Sequence, residues 1–317
     1  VIGAAHECRG WARTIDRRRL AAIRELERVD PRRHLPILAF PLLWVAAAAL
    51  ALNVASWWLR IPSMILIGLV IHALGIVMHE AIHGNLYRRR VPDRWAAFLA
   101  GLPGLVSGTA YRVSHLAHHR HNRGELDPDE FAHIFPTRGL QSIAFWVWAG
   151  LGLPIFIVHV ALSGLRRGSA RDRRAIVLEY AIILSTHATV WLLLARAGRL
   201  DTVLLAWALP LASTWVIVSL RGWSEHMLTR PEHPLTRTRT ITSNRLMSFL
   251  MLNLNYHLEH HLFPGVPWYN LPRLHRLLQE EYRAAGAPIY RSYVRFAWDA
   301  ARRGIHGLAP AAPKGEP

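Results

Sequence analysis

Cysteine is almost absent: Cys8 is the only one in 317 residues. A lone thiol makes no internal disulfide, holds no iron–sulfur cluster and completes no zinc ribbon. Redox chemistry in this chain therefore needs another kind of metal site or a borrowed cofactor. Lysine is as scarce, with Lys314 alone, so the net charge of +17 is carried by arginine. A charge of that size makes nucleic acid the first partner to consider. Long uncharged apolar runs speak against it. The arginines stand beside those runs, as determinants of membrane topology do, and no nucleic-acid partner is expected. The first 35 residues also lack a short apolar run ending in a cleavage site, so no removable signal peptide is expected.

What the chain does have is apolar residues, 52% of the total, gathered in blocks, the pattern of a chain that crosses a bilayer. Residues 36–59, 63–82, 175–195 and 202–220 are each close to the ~20 residues a crossing needs. Trp57 and Trp58 would form an interfacial belt at the end of the first span, with Arg60–Ile61–Pro62 as the turn. Residues 95–106 are too few to cross. Residues 141–165 are long enough but are interrupted by Gly150, Gly152 and Pro154, and are expected to be interfacial or re-entrant. With four spans the histidine clusters share one side. Arg88, Arg89, Arg90, Arg112, Arg166, Arg167, Arg171, Arg173, Arg174, Arg221 and Arg230 lie on that side, against Arg60, Arg196 and Arg199 on the other. The positive-inside rule then makes the histidine side cytoplasmic.

The expected fold is all-α: a multi-pass membrane protein of about four transmembrane helices with a cytoplasmic histidine-rich site. It divides into a basic cytoplasmic arm (1–35), a membrane-embedded domain (36–283) and a tail (284–317) whose end, from Gly307, is expected to be disordered. Residues 15–29 have apolar residues at helical spacing and suit a membrane-surface helix or a solvated charged one.

Nineteen histidines are the anomaly. Three boxes stand out: His79-Glu-Ala-Ile-His83, His115-Leu-Ala-His118-His119 and His257-Leu-Glu-His260-His261. On a helix, residues three or four apart share a face, so each box offers two or three imidazoles to one centre. These eight are too many for one ion, since zinc takes four ligands and a catalytic zinc keeps one position open. Two octahedral-leaning ions can use eight or nine, and among the metals that imidazole suits, iron best supports O₂ activation. His226, just after the fourth span, is the candidate ninth ligand. His121 is read as solvated or supporting, and His72, His159 and His187 as packing. Glu80, Asp127, Asp129, Glu225 and Glu259 could take the second N–H of a ligating ring, with Glu259 and Asp127 foremost. Asp127-Pro-Asp129 also reads as an ordinary capped turn.

His79-Glu80-Ala-Ile-His83 matches HExxH as well, the motif of zinc metalloproteases whose glutamate is the general base. A protease would need only one more ligand, which leaves two HxxHH boxes unexplained.

Over residues 72–275 the chain resembles the membrane fatty acid desaturase superfamily, whose hallmark is three histidine boxes between paired spans. The run from Asn253 through His257-Leu-Glu-His260-His261 to Pro264, Pro267, Trp268 and Pro272 is the most specific part. His118-His119-Arg-His121 with Asp127-Pro-Asp129 downstream is similar too. The resemblance implies two non-haem irons, O₂ as co-substrate, a lipid acyl substrate and desaturation or hydroxylation, with His226 in the place of the family's additional histidine. The short first box is shared with bacterial desaturases, implying a bacterial cytoplasmic membrane. It is shared also with carotenoid ketolases, the nearest alternative. The third box begins with His257, not the glutamine of front-end desaturases. His233-Pro234 is not followed by the glycines of a haem-binding motif, so electrons are expected from a separate ferredoxin- or rubredoxin-like donor.

Overall fold

The computed structural model describes residues 10–303 apart from 13, 131–134, 136, 227, 228 and 231. The helices are α1 (Arg17–Leu26), α2 (Ala39–Asn53, entered through a 3₁₀ segment Pro31–Leu38), α3 (Trp57–Ile82), α4 (Arg90–Gly101), α5 (Gly108–His121), α6 (Arg138–Arg167), α7 (Ala170–Arg196), α8 (Leu211–Glu225), α9 (Arg245–Leu250), α10 (His257–Leu262), α11 (Leu271–Leu277), α12 (Gln279–Ala285) and α13 (Tyr293–Arg303). The only strands among the described residues, β1 (Thr240–Ile241) and β2 (Ile289–Tyr290), pair in parallel. The fold is all-α. Two compact units divide the chain: a histidine unit (residues up to Val29, His115–Gly150 and Leu220 onward) and a span unit (Asp30–Ser114 and Leu151–Ser219).

Four helical stretches are long and apolar enough to cross a membrane: Pro31–Asn53, Trp57–Ile82, Ala170–Arg196 and Leu200–Glu225. Their outward residues, among them Leu42, Val45, Leu178, Leu184, Leu192 and Val216, are exposed, as suits helices whose solvent is hydrocarbon. The bend lies elsewhere than the sequence suggests. Val54–Ser56 form it, and Trp57 already opens α3. Arg60 is responsible: its Nε donates to the Ala51 carbonyl (3.0 Å) and its Nη2 to that of Val54 (2.6 Å). It thus satisfies orphan carbonyls at the end of α2. Pro62 sits in the second turn of α3, where it forfeits a single intrahelical hydrogen bond. In α6 the helical path breaks at Leu151 (φ −133°), close to the glycines and proline that cast doubt on a simple span.

Within the span unit, Ala47, Ile67 and Ile71 form a core with Trp44, Trp207 and Leu211 around it. A π-helical turn at Leu204–Ala208 turns the Ala206 carbonyl outward, and Trp44 Nε1 donates to it at 2.9 Å. Glu179, an acid within a span, has a structural task. It accepts from Ser107 Oγ (2.6 Å) and from the Thr109 N–H (3.0 Å) and hydroxyl, and so caps the start of α5, which carries the second box. His187 bonds the Ile183 carbonyl at 2.9 Å and packs on Trp207.

The helix expected at a membrane surface or in solvent behaves differently. Ile23 and Leu26 of α1 are buried in one cluster with Leu258, Leu262, Leu271 and Leu274, and Asn270 Nδ2 donates to the Leu26 carbonyl at 2.8 Å. An apolar stripe this short has found a protein partner for its buried face. Within the stretch read as a tail, β2 and α13 are ordered elements. Residues 304–317, where disorder is expected, lie outside the described residues.

Gly68 is where α3 and α8 approach most closely: a Cβ there would lie 2.3 Å from the Pro210 carbonyl oxygen and 2.7 Å from Ser213 Cβ. Thr214 Oγ1 takes advantage of the space, donating to the Gly68 carbonyl at 2.8 Å. Gly68→Ala is expected to destabilise by about 1–3 kcal/mol, the usual cost of overpacking, and to lower the melting temperature in detergent by size-exclusion thermal assay. An unchanged melting curve would mean that the two helices separate freely at this point.

Candidate metal centre

The second box lies at the C-terminal end of α5, and the third forms α10 itself. Helical spacing puts His115, His118 and His119 on one side of α5, and His257, His260 and His261 on one side of α10. In the histidine unit these faces bring the rings together. His119 Nε2 faces His115 Nε2 at 2.9 Å and His260 Nε2 at 3.0 Å. His257 Nε2 faces His226 Nε2 at 2.8 Å and His261 Nε2 at 3.2 Å. The ligand atoms of His115, His119 and His260 lie within 4.8 Å of one another, as do those of His118, His226 and His261. There are two foci, joined by the stacked rings of His119 and His261 (centroids 4.1 Å apart, planes 11° off parallel).

Protons alone cannot satisfy this arrangement. A neutral imidazole nitrogen carries either one proton or one lone pair in the ring plane, so His119 Nε2 and His257 Nε2 cannot each serve two facing nitrogens. A shared cation can. Imidazole bonds metals at about 2.0–2.1 Å, which sets cis ligand nitrogens on an octahedral ion about 2.9–3.0 Å apart, close to the four separations found. His118 Nε2 supports the same fit: it is buried with no hydrogen-bond partner, in the group with His226 and His261. The donor set therefore suits divalent transition metals.

Charge around the second focus is arranged accordingly. Burial by itself would lower the pKa of His118. Asp127, whose Oδ1 lies 2.8 Å from His118 Nδ1, outweighs it and lifts the imidazole to about 9. Burial likewise works against the Asp127 carboxylate, but the same pairing and the N–H groups of Asp129 and Arg123 hold it at about 2. The pairing orients the ring by its Nδ1, and a cation at Nε2 binds in exchange for the proton that the raised pKa places there. The two readings of Asp127 thus coincide: it closes a turn and grips a histidine. Burial, reinforced by neighbouring cationic groups, lowers His226 and His261 well below the usual histidine value. Both stay neutral, the form that ligates.

The framework behind the rings comes from residues outside every box. Glu259 is fully buried, and its carboxylate takes His275 Nδ1 (2.6 Å) and the Thr240 hydroxyl. It thereby ties α10 to β1 and α11. Asn255 Nδ2 donates to the Ile241 carbonyl (2.7 Å), and the Ile241 N–H donates back to the Asn255 carbonyl (2.9 Å). Arg239, 1% exposed, donates to the Ser224 carbonyl (2.7 Å) at the end of α8, immediately before Glu225 and His226. Glu225 is held by Arg221, with Oε2 3.6 Å from His257 Nε2. Asn122 Nδ2 lies 3.2 Å from His261 Nδ1. Thr240, Arg239, His275 and Asn122 carry no motif signal. His275 alone, as a further histidine in a histidine-rich chain, could have been suspected.

In the span unit, His79 and His83 lie at the end of α3 with ring centroids 4.8 Å apart. Glu80 beside them is fully buried, its Oε1 3.7 Å from His79 Nδ1. His121 falls outside every metal-compatible group among the described residues, whereas Asp129 and Glu225 each fall inside one.

Residues 55–293 match the family described as fatty acid desaturase. The chain belongs to the fatty acid desaturase family. It is 28% identical over 282 residues to the human sphingolipid delta(4)-desaturase/C4-monooxygenase DES2, covering 88% of this chain and 83% of that one. It is 27% identical over 265 residues to the dihydrorhizobitoxine desaturase of Bradyrhizobium elkanii (75% and 72% covered). To the beta-carotene ketolase of a Paracoccus species it is 30% identical over 251 residues (72% and 88%). Family membership makes this chain an oxidoreductase of the lipid desaturase and oxygenase class.

Asp127→Asn removes the charge behind His118 while keeping its shape. Retention of Fe(II) or Zn(II) against a competing chelator, read by elemental analysis, is expected to fall about 10–100-fold, as for other groups that orient a ligating histidine. Circular dichroism should stay unchanged. Undiminished retention would show that His118 does not ligate through Nε2.

Proposed function

We propose that this protein is a diiron, O₂-dependent lipid oxidase that desaturates a fatty acyl chain. The observation that carries the reading is the pair of foci in the histidine unit, with ring nitrogens at the spacing of cis ligands along His115–His119–His260 and His226–His257–His261, in a chain of the desaturase family. The proposed ligands are His79, His83, His115, His118, His119, His226, His257, His260 and His261; for His79 and His83 the support is their box in the sequence. Two non-haem irons, when bound, supply O₂ activation strong enough to break an unactivated C–H bond. The chain's own residues orient the imidazoles: Asp127 through His118, Asn122 through His261, and Glu259 by anchoring α10. Glu80 supports the first box from beside His79. Apolar helices admit the acyl chain. With one cysteine and no haem motif, electrons come from an external ferredoxin or rubredoxin. The arginine distribution puts the site on the cytoplasmic face of a bacterial membrane.

The identity to a beta-carotene ketolase favours carotenoid or lipid oxygenation as the second reading. Lipid profiling of cells with and without the gene separates the two: desaturation removes two hydrogens, hydroxylation adds oxygen, and ketolation exchanges two hydrogens for oxygen. The purified protein is expected to hold close to two irons per chain. One zinc and no iron would overturn the diiron reading and revive the HExxH protease. In that case Glu80→Gln would abolish activity outright rather than weaken it.

Orientation has its own test. Reporter fusions at Arg90 and Arg167 are expected to report cytoplasm and one at Gly198 the opposite side. An external signal at Arg167 would make residues 141–165 a true span and put the box histidines on different faces.

A further inference from the structure

Four arginines line one cavity of the span unit, and their placement is costly. Arg90 is the first residue of α4, the end of a helix where a positive charge is disfavoured. Just before it, Asp93 accepts from the Tyr87 N–H (3.0 Å) and the Arg89 N–H (3.1 Å). That grip closes a turn in which Arg88 takes a left-handed φ of +55°, a conformation that costs a non-glycine residue about 1 kcal/mol or more. On the far wall, α4 and α5 are in close approach, since a Cβ on Gly108 would lie 2.8 Å from the Ala97 carbonyl carbon. The result is a cavity of about 390 Å³ whose lining includes His83, Arg88, Arg90, Asp93, Arg94 and Arg112.

The acids nearby offset only part of this charge: Asp93 acts on Arg88, and Asp172 on Arg94 and Arg112. Asp93 spends both oxygens on backbone N–H groups, Arg112 pairs with Asp172, and Glu179 caps α5. Arg90 and Arg94 make no hydrogen bond or ion pair with any described residue. Burial and then repulsion from Arg90, Arg112 and Arg171 lower the Arg94 pKa against the attraction of Asp172, the mark of cations that outnumber the acids beside them. A guanidinium fork of this kind matches phosphate and carboxylate oxygens.

We infer that this cavity, framed by Arg88, Arg90, Arg94 and Arg112, seats the anionic head group, phosphate or carboxylate, of the lipid that the enzyme oxidises. The inference rests on the lipid-oxidase reading for the fate of the lipid, but not for its binding. A substrate held by its head group presents its acyl chain at a fixed depth, which would set the position of attack. Neutral lipids and carotenoids gain nothing from such a seat.

Binding is measured on the full-length, iron-loaded protein by native mass spectrometry with phosphatidate, oleate, phosphatidylcholine and inorganic phosphate as separate probes. Phosphatidate or oleate is expected to bind at least about tenfold more tightly than phosphatidylcholine, as the gain of charge-assisted hydrogen bonds predicts. The Arg90→Ala/Arg94→Ala variant should erase that preference while iron content and melting temperature stay unchanged. Arg90→Lys/Arg94→Lys should restore part of it. Equal binding of neutral and anionic lipids overturns the inference, and so does a preference that survives the double alanine change. Inorganic phosphate bound with no preference among lipids also overturns it, because the site would then serve a free anion. Arginine-dependent lipid binding in a protein that oxidises no lipid would sink the oxidase reading and leave the anion seat standing.

Discussion

Imidazole nitrogens that face one another with too few protons to go round set the terms for the histidine unit. Two ring nitrogens can share one proton, but three converging on a point cannot, and both His119 and His257 are in that position. Such a cluster suits a partner that is positively charged and many-handed. The neutral state of His226 and His261, and the basicity that Asp127 confers on His118, are parts of one electrostatic solution. His226 and His261 each carry a lone pair, and Asp127 fixes His118 by its Nδ1.

Holding rings at such spacings demands rigidity that six-residue α10 does not possess by itself. The rigidity is borrowed. Glu259 reaches away from the rings to Thr240 and His275, and Asn255 locks the approach to α10 against β1. Arg239, buried under Tyr290 and Phe296, secures the end of α8 that delivers His226. Its burial lowers its pKa to about 10, still far above neutrality, so it remains a cation at a helix C-terminus, where one is favoured. A small parallel strand pair thus acts as the bracket of the histidine cluster in an otherwise helical protein.

The span unit handles polar groups by a different rule. With hydrocarbon outside, each polar group must find its partner within the protein. Glu179 is consumed by the start of α5, Trp44 and Trp207 find carbonyls, and Arg60 closes the end of α2. Against that economy, Arg90 and Arg94 stand out as polar groups left facing a cavity. What sets these two apart is that they stand together in the lining of one cavity.

The sequence alone determined a good deal. Spans emerge from uninterrupted apolar length, because a bilayer imposes a minimum that soluble cores do not. The boxes emerge from i, i+3 and i+4 spacing, because helical geometry converts that spacing into a shared face. His226 was legible only as a histidine beside the end of a span. Its ring came to rest beside His118 and His257 through the tertiary fold. The turn at Val54–Ser56 was misplaced because a proline and an arginine read as a break, whereas the arginine caps the preceding helix from inside the next one. Glu259 was read, from its position in the box, as a carboxylate that takes the second N–H of a ligating ring. Its true partners, Thr240 and His275, are 19 and 16 residues away along the chain, and no local pattern encodes them. Helix faces are short-range properties, written in the chain. Which face meets which partner is a long-range one, decided by packing.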